Sequence, residues 1–225
     1  MIALWMVVTI ALYAGARALQ TAFKGNSFLN TVLLPAGALL LVFQAAPGSI
    51  ATYRSTGSIL LWFLGPATVA LAIPLYTHLR RVRVALKAAI VSLLVGSVVS
   101  AMAAIGIASV LSAQAVTIRS LAPKSVTTPI AMAIAESIGG ASSLAAVFVI
   151  VTGSVGALTG SVLFDIARVR DSRARGFALG VAAHGMGTAR AFQIDATAGI
   201  FATVGMTVNG VVTALLLPTL WRMFA

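Results

Sequence analysis

Five stretches of this chain carry no Asp, Glu, Lys or Arg over lengths greater than a bilayer crossing requires: 25–53, 55–79, 88–118, 137–164 and 196–221. An α-helix needs ~20 predominantly apolar residues to traverse the hydrocarbon core. Strict apolar/polar alternation, the mark of a membrane β-barrel strand, is absent. The chain is 60% hydrophobic and 8% charged, with a mean hydropathy of +1.06. Soluble domains carry about 25% charged residues. The expected fold is therefore all-α, a polytopic membrane bundle spanning 1–225 as a single domain.

A net charge of +11 raises the question of nucleic acid. The basic residues argue against it. They sit at the ends of apolar runs: Arg17 and Lys24; Arg80, Arg81, Arg83 and Lys87; Arg168, Arg170, Arg173 and Arg175; and Arg222. That is the pattern of the positive-inside rule rather than of a groove-lining patch. With no cysteine in the chain, a disulfide framework and thiolate metal sites are excluded.

The expected spans are 1–16, 27–46, 57–79, 86–111, 142–165, 175–194 and 197–221, about seven in all. Residues 1–16 have no basic residue before them, unlike a cleavable leader, and read as the first helix. Pro47-Gly48 and Gly139-Gly140 mark breaks between elements. Placing both basic clusters, 80–87 and 168–175, on one side of the membrane leaves an even number of crossings between them. Spans 86–111 and 142–165 supply two. A third crossing by 121–140 would put one basic loop outside. Either that segment enters and leaves by the same face, or the charge rule fails here. Broken or re-entrant backbone is tolerated only where protein buries it or it lines a cavity.

A weak internal repeat gives the same segment a counterpart. At a shift of 57 residues, Leu64-Gly65-Pro66-Ala67-Thr68-Val69 lies over Leu121-Ala122-Pro123-Lys124-Ser125-Val126, and Gly96-Ser97-Val98 over Gly153-Ser154-Val155. The two matched helices would run in opposite directions, as in an inverted repeat with a Pro-interrupted segment in each half. Such pairs point to transporter binding sites. Ala67 stands where the second copy has Lys124.

Lys124 is the costly residue. A lysine at a membrane helix centre costs roughly 2.5–3.5 kcal/mol on insertion scales. It lies between Pro123 and Pro129, beside the hydroxyls of Ser125, Thr127 and Thr128. The prolines lack an N–H and free backbone groups. The ammonium offers three donors, and a helix starting near Ser125 would favour an anion at its N-terminus. The competing reading is a snorkelling lysine between two prolines that merely bound a helix. His184, with an ordinary pKa near 6.5, is a candidate proton carrier or a packing residue. His184 and Arg190 are six residues apart and would not share a face of an unbroken helix, so Gly185 and Gly187 point to a kink. Arg190 either contacts the site or snorkels at the surface. Glu136 pairs with Lys124, titrates, or caps a solvated turn. Asn209 bonds across helices or lines the cavity. Gly153, Gly156 and Gly160 form a small-residue stripe for close packing. The chain has neither an HExxH metal motif nor a serine nucleophile elbow. Neither an enzyme, a metal nor a cofactor is expected.

Three segments resemble the signatures of the LrgB/CidB family: 64–76 with Leu64-Gly65-Pro66, 123–131 with Pro123-Lys124-Ser125, and His184-Gly185-Met186-Gly187-Thr188-Ala189-Arg190. They occur in family order, and the resemblance covers nearly the whole chain. It implies an integral protein of the bacterial cytoplasmic membrane, either holin-like or antiholin-like, that modulates murein hydrolases beside a small LrgA/CidA-like partner. A plant relative that carries glycolate and glycerate, and bacterial pairs linked to pyruvate, imply a small monocarboxylate as cargo. The expected ligand is thus a small organic anion and the expected assembly a homodimer. Pro123, Lys124, Ser125, Thr127, Thr128 and Pro129 would form one wall of the site. His184, Gly185, Gly187, Thr188 and Arg190 would form the other. Pro66, Thr68, Glu136 and Asn209 are secondary candidates.

Overall fold

The computed structural model describes residues 2–23, 29, 31–46, 48–70, 73, 76 and 86–224. Lys24, Pro47, His78, Arg80, Arg81 and Arg83 lie outside the described residues, as do the side chains of Leu64, Gly65, Ala67, Thr68 and Lys87. Among the described residues every regular element is a helix. Among the described residues four helices are long and apolar enough to cross a membrane, and the protein is an integral membrane protein. The chain divides into two compact units, 1–69 and 70–225.

The first unit holds α1 (Ile2–Ala22), α2 (Leu33–Ala45) and α3 (Ser49–Ala70). Trp5, Phe43 and Tyr53 bring one aromatic from each helix into a cluster, with ring centroids 5.1–5.8 Å apart. Thr56 is fully buried, and its hydroxyl donates to the Ile2 carbonyl at 3.5 Å. Pro66 lies inside α3 and is exposed.

The second unit contains α4 (Leu86–Val110), α5 (Ala115–Leu121), α6 (Thr128–Ser137), α7 (Ser142–Ile166), α8 (Ser172–Ile194) and α9 (Ala196–Phe224). α4, α7 and α9 match the expected spans to within a few residues, and each is long and apolar enough to cross. The expected crossing at 175–194 is different. A straight helix of 23 residues would hold its ends about 34 Å apart. Yet a Cβ on Gly176, near its start, would overlap the backbone of Ala198, just beyond its end. A Cβ on Gly187 would overlap the Leu179 carbonyl. α8 folds back on itself at Ala183 (φ −127°, ψ 18°) and His184 (φ 42°, ψ −129°). It is a helical hairpin that returns to the end it left, and 175–194 does not cross.

Residues 115–140 also turn back. The Ala141 N–H donates to Ser120 Oγ at 2.8 Å, and Arg119 reaches the Gly139 carbonyl at 3.5 Å. Between these points the chain leaves α5, makes irregular turns over 122–127, and returns as α6. This settles the parity problem by the first alternative, with the Lys124 segment entering and leaving at one end. α7 runs from the mouth of this first hairpin to the mouth of the second. The two hairpins therefore enter from opposite faces.

Packing fixes the directions. Leu93 of α4 joins Phe177 and Val181 of α8 in one buried cluster with Phe201 and Val204 of α9. α4, the outgoing arm of α8, and α9 thus run side by side from the basic end. α7 runs the other way, as the repeat requires of α4 and α7. The glycine stripe packs as expected: Cβ atoms at Gly153, Gly156 and Gly160 would stand 2.6–2.7 Å from His184, Ala183 and Leu179. At the far end Ala122, Val126, Ala131, Ile134, Ile138 and Val149 form a second cluster, with Ile105, Leu217 and Trp221 against it.

Candidate functional site

The tips of the two hairpins meet halfway along the spans, and one amide ties them. Asn209, 1% exposed in α9, donates through Nδ2 to the Ser125 carbonyl (3.1 Å) and to the Val181 carbonyl (3.2 Å). Its Oδ1 accepts from Ser97 Oγ of α4 (2.6 Å) and Thr213 Oγ1 (3.3 Å). All four bonds fix the amide orientation, and the donors go to carbonyls that the broken helices leave free.

Lys124 Nζ donates to Ser100 Oγ of α4 at 3.0 Å and reaches Ser125 Oγ at 3.4 Å. The two serine hydroxyls bond each other at 2.8 Å. An ammonium has three donors, so this arrangement leaves one over. Among the described residues no carboxylate pairs with Lys124. Glu136 is exposed in the last turn of α6 and makes no ion pair among the described residues, which fits the solvated-turn alternative. Ser100 precedes the end of α4 by ten residues, or about 15 Å. That is half of a ~30 Å hydrocarbon core.

Thr127 is the N-cap of α6, with extended backbone (φ −66°, ψ 150°) and no side-chain capping bond. Its Oγ1 is buried without a hydrogen-bond partner among the described residues. Thr128 and Pro129 are the first two helical residues, and Pro129 has no N–H to give. Buried hydroxyls are ordinarily bonded. An unused hydroxyl, a helix N-terminus and an unneutralised ammonium thus follow one another within a few residues. Their chemistry suits a small oxyanion. Pro123 is fully buried and anchors the turn.

On the second hairpin, His184 is 5% exposed and its Nε2 lies 2.9 Å from the Val149 carbonyl of α7. Its backbone has the first-position geometry of a type II′ turn, normally glycine's. Such a conformation costs of order 1–3 kcal/mol and persists only when the surroundings impose it. Here the close approach of the two arms at Gly187 holds the turn, and the ring bond to α7 adds to it. Thr188 Oγ1 donates to the His184 carbonyl at 2.9 Å and secures the turn from below. Gly187 is required by the close approach of the two arms. Gly185 is not so confined, because its nearest neighbour would be Met206 Sδ at 3.9 Å.

The structure brings the Lys124 and His184 segments together through Asn209 and Val149. It does not bring in Arg190. That guanidinium bonds Ser161 (3.4 Å) and Gln193 (3.0 Å). Ser161 and Val149 are twelve residues apart on α7, about 18 Å. A two- or three-carbon acid cannot touch both. Pro66 belongs to the other unit, and the Thr68 side chain is outside the described residues. Sequence reasoning missed Ser97, Ser100 and Thr213 as site partners. Their signal was available: isolated hydroxyls at the centres of otherwise apolar spans. An apolar cavity of about 500 Å³ lies between α4 and α9, with Ser97 and Thr213 in its wall. Among the described residues no cluster of His, Asp or Glu has the makings of a metal site.

Comparison with known proteins covers almost the full chain. The profile of the LrgB-like family matches residues 9–223. The holin-like protein CidB of Staphylococcus epidermidis is 29% identical over 98% of this chain and 96% of its own length. The antiholin-like protein LrgB of Bacillus cereus is 31% identical over 95% and 93%. The uncharacterized protein YwbG of Bacillus subtilis is 35% identical over 96% and 95%. No solved structure matches. Together with the helical membrane architecture, these matches show that the chain belongs to the LrgB-like family.

Proposed function

We propose that this protein works in a membrane system of the holin-like and antiholin-like kind, and that its molecular activity there is to carry a small organic monocarboxylate. The two halves have different support. The first rests on the names of relatives that match over nearly their whole length and is the better supported. It implies control of murein hydrolase activity and autolysis beside an LrgA/CidA-type small membrane protein, in a bacterial cytoplasmic membrane.

The second half rests on one observation: Lys124, an unneutralised ammonium, is held by two serines at mid-membrane depth where two opposed hairpins meet. Discontinuous helices meeting near the midplane are how transporters expose backbone groups and helix termini to a substrate. Lys124 would bind the carboxylate; Ser125, Thr127 and Thr128 would orient it; His184 would carry a coupled proton. Glycolate, glycerate and pyruvate are the substrate class. A homodimer is the assembly we propose.

Uptake of labelled glycolate, glycerate and pyruvate into proteoliposomes tests this. Wild type is expected to take up at least one. Lys124→Ala is expected to slow it about 10- to 100-fold, the worth of a charged hydrogen bond. Equal rates in the two proteins would overturn the transport reading. A lysis phenotype that survives in a Lys124→Ala, His184→Ala double variant would leave the regulatory half standing alone.

A further inference from the structure

We propose that Arg190 marks a second oxyanion site, separate from the Lys124 tip, on the returning arm of α8. It rests on the anion-carrying reading in one respect: the same cargo class is expected to visit it. Arg190 is half-buried, and its hydrogen-bond partners among the described residues are neutral. Its two terminal nitrogens donate to Gln193 Oε1 and Ser161 Oγ, and its Nε is buried with no partner among the described residues.

Among the described residues no carboxylate forms an ion pair with it. Asp165, one turn beyond Ser161 on α7, is paired with Arg170 and Arg175. Asp195 accepts from the Ala198 N–H. Asp171 is paired with Arg173. Among the described residues the Arg190 charge has no internal counterion. A guanidinium stays charged under all ordinary conditions, and leaving a buried charge unpaired is expensive. Its planar fork accepts a carboxylate or phosphate through two parallel bonds, and each terminal nitrogen, with two N–H groups and one neutral acceptor among the described residues, keeps a donor for it.

Position separates this site from the first. Ser161 is five residues, about 7.5 Å, from the basic end of α7, while the His184 anchor lies about 18 Å farther on. An oxyanion at this shallower depth has two sources: a small carboxylate arriving from water, or the phosphate of an anionic lipid. Both present the same chemistry to Arg190. With a carboxylate, the site stages cargo between the basic face and the midplane.

The test uses the full chain in nanodiscs, with the Lys124→Ala protein isolating the second site. In neutral phosphatidylcholine discs, glycolate is expected to raise its Tm, and the uncharged analogue glycolamide is not. Adding Arg190→Gln should remove the shift. Arg190→Lys keeps the charge without the fork, guards against simple misfolding, and should raise the glycolate concentration needed about tenfold. In discs containing phosphatidylglycerol, native mass spectrometry reads the lipid source. If lipid fills the site, one phosphatidylglycerol per chain is retained and Arg190→Gln loses it, with no glycolate shift. The inference fails if neither Arg190 variant changes glycolate or lipid binding. If Lys124→Ala alone abolishes all glycolate stabilisation in neutral discs and no lipid is lost on Arg190→Gln, this inference falls and the transport reading stands. If Lys124→Ala transports as wild type while Arg190→Gln loses anion binding, the reverse holds.

Discussion

The two hairpins of the second unit solve one problem in different ways. Both bring backbone from a membrane face to the midplane and return it. The first opens into six irregular residues at its tip, where a cation, the Ser125 hydroxyl and a buried threonine hydroxyl without a partner among the described residues are gathered at the break. The second turns on two residues, with a buried histidine locked to α7, and keeps its cation back on the returning arm. An open tip offers unfilled donors to a ligand. A tight, strained tip holds a shape against which the other can work. The polar chemistry is divided between them, and Asn209 joins the two.

Removing that joint is the change expected to blur the comparison most. Asn209→Ala leaves the Ser125 and Val181 carbonyls and the Ser97 and Thr213 hydroxyls without their shared partner. Each buried group left unpaired costs about 1–3 kcal/mol. Thermal unfolding in detergent should show a Tm lower by several degrees. Asn209→Asp, which keeps the acceptor but not the donor, should not restore it. An unchanged Tm would mean that the tips are not held by this amide.

A smaller effect isolates the second tip. His184→Ala and His184→Gly both lose the bond to Val149, but only glycine takes up φ 42° without strain. The glycine variant should be the more stable by about 1 kcal/mol, read from paired denaturation curves. Equal stability would show that the turn relaxes when the ring is gone.

The smallest effect concerns the mouth of the second hairpin. Asp171 caps α8, accepting from the Arg173 side chain and its backbone N–H, and these bonds lower its pKa from 3.8 to about 2. A carboxylate with a depressed folded pKa stabilises fully above its unfolded value and loses that contribution as pH falls through the folded one. Stability should therefore decline slightly between about pH 4 and pH 2. Asp171→Asn, which retains a cap, should flatten that window in a pH series of melting curves. The first hairpin, with no such cap, should be indifferent.

Much of this was legible from the residues. Charge-free runs locate α4, α7 and α9 to within a few residues, because lipid demands apolar length and nothing else. Charge parity around 80–87 and 168–175 made a returning segment at Lys124 one of two solutions. The glycine stripe at 153, 156 and 160 correctly marked a close interface. The fold-back of α8 was harder to see. Its 23 residues have helical length and helical neighbours, and a single left-handed residue that is not glycine leaves no propensity signal. Gly185 and Gly187 hinted at a kink, but a kink and a full reversal look alike in sequence. The separation of Arg190 from His184 follows from that reversal and was invisible without it. Partners such as Ser100 and the Val149 carbonyl depend on which helix faces which, information that periodicity does not hold.

The central claim is that two hairpins enter from opposite faces and neither crosses. The chain has no cysteine, so single cysteines can be read without background. Arg173 and Ala196 flank the second hairpin and are exposed, as are Gln114 and Ser137 beside the first. Each is replaced by cysteine in turn and treated with a membrane-impermeant maleimide in sealed vesicles of known orientation. Positions 173 and 196 should label from one side, and 114 and 137 both from the other. Labelling of 173 and 196 from opposite sides would mean that α8 spans the membrane after all, and would contradict the account.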